Sequence, residues 1–342
     1  MLAVQFSPEN GFKRQVMPSQ PLKTDEVRIK VDACGVCGSD RQIVRGEPAP
    51  LGTTFPLIMG HEISGTVIEV APHVEDWKIG EAVIVYPFIK CGTCKACLQD
   101  ESNLCYRQTC IGYHLPGGYA EEVVVPVSQL IHRPKNLSAS SAALLVDAYA
   151  TPYHAMKLSN IKQGDTVLII GSGGLGLASI GLSHCFDVEK VAVLSRRELE
   201  EKDLVRLNGA QLMVYSKETL RQVARKLRRW SGSGGIDVVI DTMGNSESVS
   251  LATEVVRPGG TVTIVGMSTD SVQLPIMKMV RRGIHILTSY GSLQSDVEEL
   301  IHFAEEKKFN PDDLIAGTLP LNRLEEAFTD SHRSSGRWMI TP

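Results

Sequence analysis

Cys37, His61 and Glu62 are side chains of the kinds that bind transition metals, and they stand in V-D-A-C-G-V-C-G-S-D and P-L-I-M-G-H-E. Small or polar neighbours leave the backbone at each open to a bound ion. Zinc takes thiolate, imidazole and carboxylate ligands, and a catalytic zinc keeps three protein ligands and one free position. Cys37 and His61 would supply two of the three. The third has to come from farther along the chain.

Four more thiols, Cys91, Cys94, Cys97 and Cys105, stand in C-G-T-C-K-A-C-L-Q-D-E-S-N-L-C. At this spacing they can wrap one tetrahedral metal completely, so the expected site is structural. The step to Cys105 does not fit a ferredoxin-like cluster. Cys34, Cys110 and Cys185 lack such company and read as small hydrophobes.

A third group is G-S-G-G-L-G, from Gly171 to Gly176, placed after the apolar run Thr166–Ile170 and at the start of a helical pattern, Leu175–Cys185. In this context the glycines make a tight turn, let the backbone approach a pyrophosphate and allow close helix packing. Gly171, Gly173, Gly174, Leu175 and Gly176 are thus candidate dinucleotide contacts. The next predicted strand ends in Ser195-Arg196-Arg197, about 20 residues on, where an NAD-binding chain carries an acid for the ribose 2′-hydroxyl. One hydroxyl and paired guanidiniums suit a 2′-phosphate instead. NADP(H) is therefore favoured over NAD(H).

The elements that must hold these groups fall into two textures. Residues 1–148 read as β-rich, with short apolar runs at Val27–Val31, Gly65–Val70, Ala82–Val85 and Glu122–Val125 between Gly, Pro and charged turns. After Gln163 strand-like runs recur at Lys190–Leu194, Leu212–Tyr215, Ile236–Ile240 and Thr261–Val265, alternating with helical segments, which predicts a doubly wound parallel sheet. Beyond residue 288, Val297, Leu300, Ile301 and Ala304 mark one amphipathic helix. The 342 residues suit two domains. A net charge of −4 and the absence of a long apolar run or signal-peptide layout argue against nucleic-acid or membrane partners. Eight cysteines in such a chain fit a reducing, cytoplasmic setting in which metal binding outranks disulfides.

In this order, Cys37-Gly-Ser-Asp, Gly60-His-Glu, the four-cysteine lobe and the glycine loop resemble the zinc-dependent medium-chain alcohol dehydrogenases over essentially the whole chain. The resemblance implies an α/β architecture in which a GroES-like β-rich catalytic domain (1–148, structural zinc lobe about 88–110) is interrupted by a Rossmann domain (149–288), with 289–342 returning to the first. It implies two zinc ions per chain and hydride transfer between NADP(H) and a small alcohol or carbonyl substrate. It also implies a homodimer or homotetramer. Residue by residue, Cys37 and His61 match the first two catalytic zinc ligands, and Glu62 the neighbouring carboxylate. Asp147, in A-L-L-V-D-A-Y-A-T, matches the third ligand. Asp147, Thr151 beside the nicotinamide, and Ser195-Arg196 together resemble NADP-dependent secondary-alcohol dehydrogenases. A polyol or sugar dehydrogenase is the alternative, and a non-catalytic NADPH-binding sensor or scaffold the second alternative. Ser39 resembles the hydroxyl that passes the proton onward, or else serves as an N-cap. Gln42 departs from the family, which commonly has a proton-relaying histidine there, so a water-based exit is expected. Arg337 matches a basic residue near the cofactor.

Other features read more plainly. Asp241 and Gly266 end predicted strands, where α/β folds bind ligands; Gly266 is a candidate nicotinamide-side contact and Asp241 a turn cap. Arg221–Arg229 carries an apolar stripe at Leu220, Val223, Ala224 and Leu227, so its arginines form a wet helix face. Glu198–Asp203 reads as a helix surface. His73, His132, His184, His285, His302 and His332 are surface or core residues, and His154, in P-Y-H-A-M, resembles a common family histidine behind the site, more structural than catalytic. Phe55, Phe88, Tyr113 and Met267 are candidate apolar pocket residues.

Overall fold

The computed structural model describes residues 1–196, 198, 209–215, 218–329 and 336–342. Arg197, most of Glu198–Asp203 and His332 lie outside them. The chain divides into two compact units, one comprising residues 1–150, 292–307 and 311–342, the other 151–291 and 308–310.

The first unit holds a small antiparallel sheet of β1 (Leu2–Ser7) flanked by β2 (Gly11–Val16) and β4 (Leu57–Ile58). Its larger sheet is built around β3 (Glu26–Val36), whose apolar residues Val27, Ile29, Val31, Ala33 and Cys34 are buried. One edge of β3 pairs with β5 (Glu62–Val70), which continues to β6 (Ala82–Val85) and β10 (Leu130–His132). The other edge is shared: β9 (Glu122–Pro126) pairs with Glu26–Lys30, and β18 (Arg337–Thr341) pairs with Cys34–Val36. Beyond β18 lies β17 (Ile315–Pro320). Cys37 thus follows a strand paired with β5 as far as Gly35 and with β18 as far as its last residue, Val36. Two short strands, β7 (Phe88–Ile89) and β8 (Thr109–Cys110), close the cysteine lobe.

The second unit is a six-stranded, all-parallel sheet: β11 (Thr166–Ile170), β12 (Lys190–Ser195), β13 (Gln211–Val214), β14 (Ile236–Asp241), β15 (Val256–Ile264) and β16 (His285–Thr288). Its order is β13-β12-β11-β14-β15-β16. Counted from the strand before the glycine loop, this is the 3-2-1-4-5-6 order of dinucleotide-binding sheets. Leu168, Ile170, Ala192, Leu194, Val239 and Val262 join Val223, Ala224, Leu227, Leu251 and Val255 in one apolar core. Near-continuous burial of the central strands β11 and β14 follows from helices covering both faces.

The expected helices form with the expected faces inward. In Leu220–Ser231, Val223, Ala224 and Leu227 are buried while Arg221, Arg225, Arg228 and Arg229 are exposed. In Gln294–Glu305, Val297, Leu300, Ile301 and Ala304 are buried. The boundaries shift where pairing extends beyond the apolar signal. β3 runs on to Val36 and β5 starts at Glu62 because Gly35 and Glu62 are ladder partners, a pairing between a glycine and a charged residue that composition conceals. Tyr215 falls just past β13. The helix from Gly174 ends at Ser183 and tightens into a 3₁₀ turn, His184–Phe186. Among the described residues, no helix is long and apolar enough to cross a membrane.

Candidate metal and cofactor sites

Cys37 follows β3 and caps the helix Gly38–Val44, its backbone N–H donating to Asp40 Oδ2 at 3.0 Å. Cys37, not Ser39, is therefore the N-cap; Ser39 sits within the first turn. His61 immediately precedes β5, and Glu62 is its first residue. A β-carbon on Gly35, opposite Glu62, would lie 1.9 Å from Glu62 Oε2, so only glycine leaves room for this carboxylate. Asp147 is carried by a π-helical turn, Leu145–Tyr149, a geometry frequent at functional sites.

These elements bring Cys37, His61, Glu62 and Asp147 together, all buried, with one donor atom of each within 4.8 Å of the others. Asp147 Oδ2 lies 3.2 Å from Cys37 Sγ and 3.5 Å from His61 Nε2. On its other side His61 turns Nδ1 toward Asp40 Oδ1, at 3.5 Å. Asp40 is fully buried and also accepts a hydrogen bond from the Tyr119 hydroxyl at 2.8 Å. Arg337 closes the group: Nε donates to Glu62 Oε1 at 2.9 Å, and Nη2 lies 3.3 Å from Cys37 Sγ and 3.6 Å from Asp147 Oδ2. The resemblance sets Arg337 near a cofactor; the structure adds that its side chain is buried among the candidate metal donors.

Burial pushes Glu62 up to about 7, with Arg337 pulling the other way. Burial likewise raises Cys37 against Arg337. For His61 burial acts downward, but the carboxylates of Asp40 and Asp147 outweigh it and hold the imidazole well above its ordinary value. Two buried carboxylates, Glu62 and Asp147, and a thiol around Arg337 leave a deficit of positive charge, and burying uncompensated anions is costly. Glu62 Oε2 has no hydrogen-bond partner among the described residues. The donor types, their spacing and this deficit fit a divalent zinc ion.

Ser39, half-buried, accepts a hydrogen bond of 2.5 Å from the Tyr113 hydroxyl, and the Tyr113 ring lies against His61 with centroids 4.9 Å apart. Tyr113 was expected as an apolar wall. Its hydroxyl is instead engaged, a difference that residue type alone does not reveal. Met267 is exposed, whereas Phe88 is buried.

In the lobe, Cys91, Cys94, Cys97 and Cys105 also converge within 4.8 Å. Cys94 and Cys97 sulfurs are 3.4 Å apart and those of Cys91 and Cys97 3.9 Å. Zinc–sulfur bonds of ~2.3 Å give tetrahedral edges of about 3.8 Å, so the quartet fits one zinc ion. Backbone amides of Thr93 and Cys94 help to hold Cys91 down at about 5, favouring thiolate. Among the described residues, Ala96 is the one partly buried hydrophobic other than the cysteines themselves that packs around these sulfurs.

At the glycine loop, Gly171 has φ +109° and Gly176 approaches it so closely that a β-carbon would lie 2.0 Å from Gly171 O. A β-carbon on Gly173 would meet nothing within 4 Å. Gly174 and Leu175 begin the helix Gly174–Ser183, which no side chain caps, so its first amides remain available to an anion. This open, uncapped loop fits a pyrophosphate. Ser195, buried at the end of β12, has its Oγ 2.8 Å from that of Ser172 in the loop. Arg196 is exposed, pairs with Glu247 at 3.5 Å, and is held further toward its charged form by Tyr215. Asp241 accepts from the amides of Met243 and Gly244 and from the Ser248 hydroxyl, the turn-capping role expected of it. Gly266 follows β15, its N–H reaching Asp241 O at 3.1 Å. Thr151 is buried in the helix Ala150–Leu158.

Asp40, Tyr119 and Tyr215 were missed by sequence reasoning. Asp40 carried one usable signal, an acid three residues after the capping Cys37; the tyrosines carried none.

The family described as "Alcohol dehydrogenase GroES-like domain" matches residues 23–135, and that described as "Zinc-binding dehydrogenase" matches 174–306. An alcohol dehydrogenase of Geobacillus stearothermophilus is 32% identical over 307 residues, covering 89% of this chain and 87% of its own. A putative zinc-binding dehydrogenase from Sinorhizobium meliloti, solved bound to NADP, is 27% identical with a TM-score of 0.89 over 100% of this chain and 99% of its own. An NAD-dependent alcohol dehydrogenase is also 27% identical, with a TM-score of 0.88 over 100% of both chains. Together with the GroES-like and parallel-sheet architecture, these likenesses establish that the chain belongs to the zinc-dependent medium-chain alcohol dehydrogenase family of oxidoreductases.

Proposed function

We propose that this chain transfers a hydride between NADP(H) and a secondary alcohol or its ketone or aldehyde counterpart. Catalytic zinc would be held by Cys37, His61 and Asp147, with Glu62 beside it, and a second zinc by Cys91, Cys94, Cys97 and Cys105. The observation that carries this reading is the buried convergence of Cys37, His61, Glu62 and Asp147. Zinc, when bound, lowers the pKa of an alcohol at its open position and polarises a carbonyl there. The chain supplies the remainder. Asp40 faces His61 Nδ1 and favours the tautomer that keeps Nε2 free for metal. Arg337 balances the charge of Glu62 and Cys37. During oxidation Ser39 Oγ would accept the proton of the substrate hydroxyl as its own O–H proton passes on, and during reduction the transfers run in reverse. With Gln42 in place of a relay histidine, that proton leaves through water.

The solved relatives include both an NADP-bound and an NAD-dependent protein, so they do not decide the cofactor. Ser195 and Arg196 support NADP(H): they place a hydroxyl and a guanidinium where an acid would hold the 2′-hydroxyl, with Arg197 expected to add a second guanidinium. Gly171, Gly173, Gly174, Leu175 and Gly176 would cradle the pyrophosphate, and Thr151 and Gly266 would border the nicotinamide. A homodimer or homotetramer and a cytoplasmic location complete the reading. Native mass spectrometry should find two zinc ions per chain, one of them lost in Cys37→Ala. A panel of secondary alcohols, aldehydes and polyols with both cofactors should give the highest kcat/KM with a secondary alcohol and NADP+. Polyol turnover with NAD+ as the preferred pair would overturn it.

A further inference from the structure

Ser39 carries one proton and two acceptor positions, and a free hydroxyl rotates among its partners. Here its rotation is constrained. Tyr113 Oη lies 2.5 Å from Ser39 Oγ, at the short end of the hydroxyl–hydroxyl range. The tyrosine is held in turn: its ring is buried against His61, with centroids 4.9 Å apart and planes inclined by 40°. Its loop is pinned by Ile111 N–H to Pro87 O at 3.0 Å, Tyr113 N–H to Cys110 O at 3.2 Å and Gly112 N–H to Leu115 O at 2.8 Å.

We propose that Tyr113 is a positioning residue for the reaction: its phenolic O–H fills one acceptor site of Ser39 Oγ, so that Ser39 presents its own O–H to the substrate's carbonyl or alkoxide oxygen. Donation into a hydroxyl strengthens that hydroxyl as a donor, so Tyr113 both aims and sharpens Ser39. The phenol keeps its proton throughout, and no bond is made or broken at Tyr113. The assignment rests on the reading of Ser39 as the residue that meets the substrate oxygen.

The test uses Tyr113→Phe, which keeps the ring on His61 and removes only the hydroxyl, together with Ser39→Ala and the double variant. Three quantities are measured in the full-length, zinc-loaded protein: kcat/KM, the affinity of isobutyramide for the NADPH complex by cofactor fluorescence, and zinc content by native mass spectrometry. Isobutyramide is an unreactive carbonyl probe. Tyr113→Phe should lower kcat/KM and amide affinity about tenfold, as expected for one hydrogen bond of roughly 1.4 kcal/mol. Zinc content should not change. In the Ser39→Ala background, Tyr113→Phe should have no further effect. Wild-type values in Tyr113→Phe, or the same loss with and without Ser39, overturn the proposal while leaving the Ser39 reading intact. Wild-type activity in Ser39→Ala overturns that reading and this assignment with it.

Discussion

Arg337 reaches Glu62 across 275 residues of sequence, its Nε donating to Oε1 at 2.9 Å with both side chains buried. Removing one partner of a buried pair leaves the other charge uncompensated and costs about 3–5 kcal/mol. Arg337→Met should therefore lower the melting temperature and weaken zinc retention at the Cys37 site. Melting curves and zinc stoichiometry after dialysis check this; wild-type zinc retention would count against it.

The same carboxyl predicts a pH dependence. Its folded pKa of about 7 lies above the ordinary 4.5. Its contribution to stability is therefore complete below the ordinary value and is lost as pH rises through about 7. His61, also raised, acts in the same direction. Metal-free protein should lose stability across this window, whereas zinc binding strengthens as the donors shed protons. The melting-temperature gap between zinc-loaded and chelator-stripped protein should widen from about pH 5 to about pH 7.5. A constant gap would reject this account.

In the cysteine lobe the sulfurs form most of the core, with Leu98, Leu104 and Tyr106 exposed. Cys97→Ala should remove one zinc equivalent, leave the Cys37 site loaded, and open residues 91–105 to limited proteolysis. An intact lobe in that variant would mean that the metal is not what orders it.

Arg196 and Glu247 face one another at 3.5 Å, both substantially exposed. A 2′-phosphate would compete with Glu247 for this guanidinium. Arg196→Ala should weaken NADP+ binding about tenfold or more with little change for NAD+. Glu247→Gln should tighten NADP+ about two- to fivefold, the scale of a surface ion pair. Calorimetric titration with both cofactors decides; equal effects on the two would remove Arg196 from the 2′-phosphate site.

Gln42 lies three residues after Ser39 in the helix Gly38–Val44, hence on the same side of it. The wild-type pH–rate profile should lack a limb due to an imidazole, and Gln42→His should introduce one near pH ~6.5. An unchanged profile in the variant would argue against a water exit.

What was readable in the chain was what is local in it. The quartet Cys91 to Cys105 and the loop Gly171 to Gly176 each lie within fifteen residues or fewer, so spacing alone carries their chemistry. The period-2 and helical patterns carried the fold class for the same reason. Asp147 needed the family likeness, because it lies 110 residues from Cys37. The partners of Asp40, Tyr119 and Arg337 were hidden because a buried charge and a surface charge look alike until the sheet assembles. Gly35 is the clearest case: its meaning is the carboxylate opposite, which no neighbour in sequence announces.

The pairing of β18 with the end of β3 also orders events in time. A ribosome delivers Cys37, His61 and Glu62 early and Arg337 nearly 300 residues later. Until then the nascent chain carries a thiol and acids without the cation that neutralises them, and the edge of β3 beside Cys34–Val36 stays unpaired. The proposed metal centre would thus be completed late in synthesis, and its loading would report that β18 has docked on β3.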